Sequence, residues 1–205
     1  MDIVEIIEVA KSYPDIFIDC GIRQERTTVL QQLDKRSNGR ASEFIDAFIE
    51  DIQKRIANLT NRTKPYQIPH EYIFFLEYYG GLSINTDSYH FSTFGIGIMV
   101  EEEYGSIDSD DVFHEPGKYG VLKIGMLSFR TGKYKFQYVD FFLDLAGHVQ
   151  KHCVIGVGPW GGNSIDSTTI AKDIHKHPDL WEKTSVTFTE WLKYVVRKKE
   201  DGGWG

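Results

Sequence analysis

Gly156-Val157-Gly158-Pro159-Trp160-Gly161 matches G-x-G-x-x-G and follows an apolar run with strand character. In a dinucleotide-binding βαβ unit that spacing brings a tight turn against a pyrophosphate and opens a helix whose N-terminus holds it. Here Pro159 interrupts the turn, Gly162-Asn163-Ser164 prolong it, and the runs on either side look like hairpins. A mobile glycine loop is the plainer reading. A second candidate is the cluster His148, His152 and Cys153, with His175 and His177 as a further pair. Zinc takes about four N or S ligands, usually as two spaced pairs. The chain has no C-x-x-C and no H-E-x-x-H, so solvated or core-edge histidines are expected instead. Asp108, Asp110 and Asp111 have the alternation of a calcium loop, but Val112 and Phe113 stand where a ligand and the glycine belong. No G-x-S-x-G provides a serine nucleophile, and Cys20 and Cys153 have no catalytic signature around them. Asp140 and Asp144 could pair as acid and base. On a strand, however, residues four apart lie ~13 Å from each other, beyond the reach of a glycosidase pair. The expectation is therefore a protein with no catalytic residue, no metal and no cofactor.

One segment does stand out chemically. Glu101, Glu102, Glu103, Asp108, Asp110, Asp111 and Glu115 fall in a stretch without a single Lys or Arg, and their seven charges equal the formal net charge of −7. Most charge runs are solvated loops. Carboxylates held this close repel one another, though, and a cationic partner relieves that repulsion. These residues are accordingly the predicted docking surface for a basic protein partner.

The elements that must position these residues can be read from spacing. The chain has 205 residues, enough for a core without covalent staples. Thirty acidic side chains against 23 basic ones disfavour binding to a phosphate backbone. Two cysteines suit a reducing compartment. Asp2, Glu5 and Glu8 precede the first Lys, the reverse of a secretory leader, and no apolar run reaches the ~18 residues of a membrane span. A cytoplasmic protein is expected. Ile3, Ile6, Ile7 and Ala10 mark a first helix, with Asp2 and Glu5 spaced for capping. Arg23 to Lys35 reads as a second helix and Ser42 to Leu59 as a third, its apolar face running through Phe44, Phe48, Ile52 and Ile56. Asn61 to Pro65 reads as a linker, which divides the chain into an N-terminal helical extension (1–64) and an α+β domain (65–200). Of the 28 aromatic residues, 18 lie between Tyr66 and Phe142, which argues that a sheet begins there. A helix from Pro69 to Gly80 comes first. Strands are then predicted at Phe94–Val100, Val121–Phe129, Tyr134–Leu145 and Val149–Val157, with a hairpin turn at Arg130–Lys133 and a bulge near Val139-Asp140, where the aromatic phase changes. Thr187-x-x-Glu190 is a capping box for a final helix through Trp191 and Val195. Short connections make the strands antiparallel. The fold class expected is α+β, a twisted antiparallel sheet packed against helices.

Ile68-Pro69-His70-Glu71-Tyr72-Ile73-Phe74-Phe75-Leu76-Glu77-Tyr78-Tyr79-Gly80-Gly81 resembles the helix signature of the SUKH superfamily, the Smi/Knr-like proteins. Lys123-Ile124-Gly125, then Leu143-Asp144-Leu145 with Gly147-His148-Val149, then Thr187 to Leu192 resemble later family stretches in the same order. The resemblance covers about residues 65 to 198. Three features depart from it: Arg130-Thr131-Gly132-Lys133 replaces a glycine- and aspartate-rich stretch, the segment from Gly156 to Ser185 is long, and residues 2–60 have no counterpart. The resemblance implies an α+β fold, no enzyme activity and a binding role. Its bacterial members are commonly immunity proteins that neutralise a cognate toxin, often a nuclease, and its fungal members are regulatory interaction hubs. The expected function is an immunity protein whose acidic segment meets the toxin, with a regulatory scaffold as the alternative. A nucleotide or small-molecule enzyme, resting on the glycine motif alone, comes third.

Overall fold

A computed structural model describes residues 1–37, 39–93, 116–132, 135–161 and 181–200. The chain opens with α1 (Ile3–Ala10), β1 (Ile16–Ile18), α2 (Arg26–Ser37), a single 3₁₀ turn (Ala41–Glu43), α3 (Ile45–Arg62) and α4 (His70–Tyr79). The strands β2 (Leu82–Asn85) and β3 (Tyr89–Thr93) follow. After α5 (Pro116–Tyr119) come β4 (Val121–Gly132), β5 (Lys135–Asp144), β6 (Val154–Gly161) and β7 (Trp181–Val186), and α6 (Phe188–Glu200) closes the described chain. The strands form one sheet in the order β1-β2-β3-β4-β5-β6-β7, every neighbouring pair antiparallel. The α+β class expected from the sequence is the observed one.

Local signals explain the helix ends. Asp2 accepts from the Glu5 N–H at 2.9 Å while Glu5 accepts from the Asp2 N–H at 3.0 Å, a full capping box. At the other end, Glu190 donates its N–H to Thr187 Oγ1 (3.3 Å) and accepts from the Thr187 N–H (3.1 Å). A second carboxylate assists there. Glu71, in the first turn of α4, accepts the Phe188 N–H at 2.8 Å, so one helix caps another 117 residues away. Gly80 takes φ +70° where α4 stops, a conformation that suits glycine.

One face of the sheet packs on α1, α4 and α6. Ile6, Ile7, Phe75, Phe91, Phe141, Leu143 and Trp191 belong to a single buried cluster. Trp191 is its centre, with ring centroids 5.2 Å from Phe141, 5.6 Å from Phe91 and 5.7 Å from Phe188. Gly125 makes room for it. A Cβ there would lie 3.3 Å from Trp191 Cη2 and 2.9 Å from the Ser92 carbonyl oxygen.

Residues 1–64 do not stand apart as a helical extension. β1 pairs with β2, and Ile3, Ile6, Ile7 and Ala10 enter the same core as the sheet. A smaller apolar cluster, including Val29, Leu33, Ile45 and Ile52, joins α2 to α3 beside it. The linker reading of Asn61–Pro65 also gives way. Asn61 and Arg62 complete α3, and Thr63 is wholly buried. Gly117 lies so close that an added Cβ would meet the carbonyl oxygens of Lys64 and Arg62. α2 begins at Arg26 rather than Arg23, because the Arg23 N–H and the Gln24 side chain are occupied by the carbonyls of Glu77 and Tyr78.

The strands differ from expectation in instructive ways. β1, β2 and β3 are additional to the strands predicted from periodicity, and the predicted strand at Phe94–Val100 falls outside the described residues. Arg130, Thr131 and Gly132 belong to β4 instead of a turn. β5 alternates regularly. Val139, Phe141 and Leu143 join the helix-covered core, while Tyr138, Asp140 and Phe142 occupy the opposite face. A register shift does fall at the predicted place, between Tyr138 and Asp140 in the β5–β6 pairing, but the extra residue lies in β6 and β5 itself alternates without a break. The register shifts place extra residues in β4, between Lys123 and Gly125 and between Arg130 and Gly132, and in β6 opposite Tyr138–Asp140.

Candidate functional site

Of the polar residues singled out for chemistry, Asp144, His148 and His152 meet at the end of β5, and Asp140 lies on the sheet face opposite the helices. Asp144 is fully buried, and its carboxylate accepts four backbone N–H bonds. Oδ1 takes Gly147 (2.8 Å) and His148 (3.0 Å), and Oδ2 takes Val149 (2.7 Å) and Gln150 (3.1 Å). Four converging dipoles stabilise the charge and wind residues 147–150 into a tight turn. Gly147 adopts φ +83° and His152 φ +66° to close it. The strand predicted from Val149 therefore begins only at Val154, once these amides are released.

Both histidines serve this turn. A carbonyl only accepts, so Nε2 of each ring is the donor. His148 reaches the Tyr119 carbonyl at 2.9 Å and His152 the Gln67 carbonyl at 3.1 Å. They fasten the turn to α5 and to the segment before α4. Cys153 is buried and accepts the Asp144 N–H through its carbonyl at 2.9 Å. His175 and His177 lie outside the described residues. Among the described residues no three of His, Cys, Asp and Glu come together to hold a metal ion.

Asp140 has a different role. It sits on the sheet face opposite the helices, nearly buried, with Oδ1 2.7 Å from Lys123 Nζ. Phe142 and Ile155 are buried on the same face, one register step away. Toward β3 and β2 the face becomes small and polar, through Ser128, Ser92 and Ser83. Ser128 Oγ lies 3.5 Å from the His90 backbone carbonyl, a bond to the main chain and not to an imidazole base. Asp140 and Asp144 thus make separate structural contacts, one with a cation and one with four amides. Lys123 carried no functional signal in the sequence. Only the register, which sets it beside Phe142 and one step from the Met126–Asp140 pair, shows what it neutralises.

The glycine motif is not a phosphate loop. Gly156 to Gly161 are residues of β6, in register with β5 from Gln137↔Gly161 to Phe141↔Gly156. A nucleotide loop needs a turn at this point, and a ladder takes the backbone groups that would cradle phosphate. Cys20, the other cysteine, is buried in the apolar cluster of α2 and α3. The docking residues predicted from charge, Glu101, Glu102, Glu103, Asp108, Asp110, Asp111 and Glu115, lie outside the described residues, as does the calcium-like Asp108–Asp111 stretch. Their anchors are described: β3 ends at Thr93, paired with Gly125, and the chain is described again from Pro116 at the start of α5.

No helix among the described residues is long and apolar enough to cross a membrane. Comparison of the chain with protein-family models, with curated proteins and with solved structures gave no match.

Proposed function

We propose that this chain is a non-enzymatic binding protein that acts in the cytoplasm as an immunity protein, neutralising a basic toxin, a nuclease, by covering it. The observation that carries the reading is the run Glu101–Glu115, seven carboxylates without one internal cation. A nuclease must hold phosphates, so the surface around its cleft is basic, and clustered carboxylates complement it. The disposition of the other polar groups supports a binding role over a catalytic one. Asp144, Asp140, His148 and His152 are each engaged by the fold itself. The helix, strand and turn that prompted the SUKH resemblance have physical work to do here. Glu71 caps α6, Gly125 admits Trp191, and Asp144 winds the turn after β5.

The test is association with the product of the neighbouring gene. The wild type and a variant with Glu102, Asp110 and Asp111 all changed to Lys are compared at two ionic strengths. The variant associates at least about tenfold more slowly at low salt and differs less at high salt, because steering is screened. Circular dichroism is the folding control and is expected to show the same fold for both. Equal association rates would remove the acidic run from the interface.

A further inference from the structure

We propose that the β1 edge of the sheet is a strand-addition site for an extended segment of a basic partner: an apolar strand flanked by Lys or Arg. Among the described residues β1 is the terminal strand of the sheet, and no described strand pairs with its outer side. The register fixes which backbone groups that side offers. The Asp19 N–H donates to the Gly81 carbonyl (2.9 Å) and the Asn85 N–H to the Asp15 carbonyl (3.0 Å), so residues 15, 17 and 19 form the hydrogen-bonded pairs with β2. Ile16 and Ile18 therefore point their backbone groups away from β2. The Ile16 N–H is taken by the Tyr13 carbonyl at 3.2 Å, which leaves its carbonyl and both backbone groups of Ile18 facing outward. Between them Phe17 is 55% exposed, opposite the small Ser83, and offers apolar surface to the side chain of an added strand.

Charge selects the occupant. Asp15 and Asp19 bracket the strand, and the first twenty residues hold five carboxylates against one basic side chain, Lys11. That lysine lies 2.7 Å from Glu8. If a second copy paired with β1 in antiparallel fashion about Phe17, Asp15 of each copy would face Asp19 of the other. Like charges directly opposite destabilise a pair, so self-pairing is opposed and a strand with cationic ends is favoured. The edge is separate in sequence from the Glu101–Glu115 run, and the inference holds whichever protein the chain binds.

The experiment titrates the ¹⁵N-labelled full chain with the synthetic peptide acetyl-KVTVTVK-amide and, separately, with acetyl-EVTVTVE-amide. The cationic peptide shifts the amide signals of residues 16 to 19 and slows exchange of the Ile18 amide. The acidic peptide binds at least about fivefold more weakly, because its ends meet Asp15 and Asp19. Ile18→Pro removes an outward N–H while sparing the ladder to β2, and it abolishes binding. Should that variant fail to fold, the wild type is titrated with the cationic peptide N-methylated at every residue, which has no backbone N–H on either edge and no longer binds. The proposal is overturned if residues 16 to 19 do not shift, if both peptides bind equally, or if Ile18→Pro or N-methylation leaves binding intact. A concentration-dependent dimer in sedimentation that Ile18→Pro abolishes would overturn it in favour of a second copy.

Discussion

Replacing Asp144 with Asn keeps the size of the side chain and removes half of its acceptors. In the wild type each carboxylate oxygen holds two amides, at 2.8 and 3.0 Å on Oδ1 and 2.7 and 3.1 Å on Oδ2. Asparagine keeps one carbonyl oxygen and turns an NH₂ group toward the other pair of donors. Two N–H groups lose their acceptor, and each buried, unsatisfied donor costs about 1–3 kcal/mol. Residues 147 to 151 lie at the surface, so water recovers part of this, and the expected loss is about 2–4 kcal/mol. Asp144→Ala removes all four bonds and costs more. Urea unfolding measures the loss, and hydrogen exchange locates it: the amides of residues 147 to 150 exchange faster before any in β5. A loss below about 1 kcal/mol, or unchanged exchange at those amides, would refute the claim that Asp144 organises the turn.

Three further outcomes follow from the packing. Trp191→Ala is expected to cost about 3–5 kcal/mol as a fully buried ring at the centre of the core, and Thr187→Ala only about 1 kcal/mol as a helix cap, so denaturant midpoints separate the two clearly. Gly21→Ala would put a Cβ 2.1 Å from the Tyr78 carbonyl carbon, and because that neighbour is backbone the loss is expected to reach about 3 kcal/mol, read by thermal melting. Burial holds the Tyr72 hydroxyl protonated well above its ordinary range. The unfolded chain releases that proton near pH 10 while the folded chain keeps it, so stability present below pH 10 falls by about 1.4 kcal/mol per pH unit above it. Tyr72→Phe removes that share of the slope; identical alkaline slopes for the two proteins would contradict the assignment.

Much of the helical part was legible because its signals are local. Asp2 with Glu5 and Thr187 with Glu190 are caps written within four residues of chain, and both form as the spacing implies. The buried stripes of Ile3–Ala10 and of Phe188–Val196 follow from helical periodicity alone. β4 and β5 were also legible, each being a long apolar run. The errors arose where one local pattern had two geometric solutions. Aromatics changing phase along β5 suit an extra residue in either partner of the pair, and only the register with β6 places it in β6. Gly156–Gly161 suits either a turn or a strand, and β5 alongside it makes it a strand.

Sequence by itself determined the α+β class, the helix caps, the apolar faces and the concentration of acid at Glu101–Glu115. The tertiary structure decided the rest. Ile16–Ile18 is three residues long and too short to show a period, and it becomes a strand because β2, some 66 residues later, offers its backbone. Asp144 looked like a candidate acid until four amides folded back onto it, and Lys123 had no role until the register set it beside Asp140. Periodicity and capping are written in side chains near one another along the chain. Pairing and charge neutralisation depend on backbone groups that nearly every residue carries and on neighbours that only the folded chain supplies.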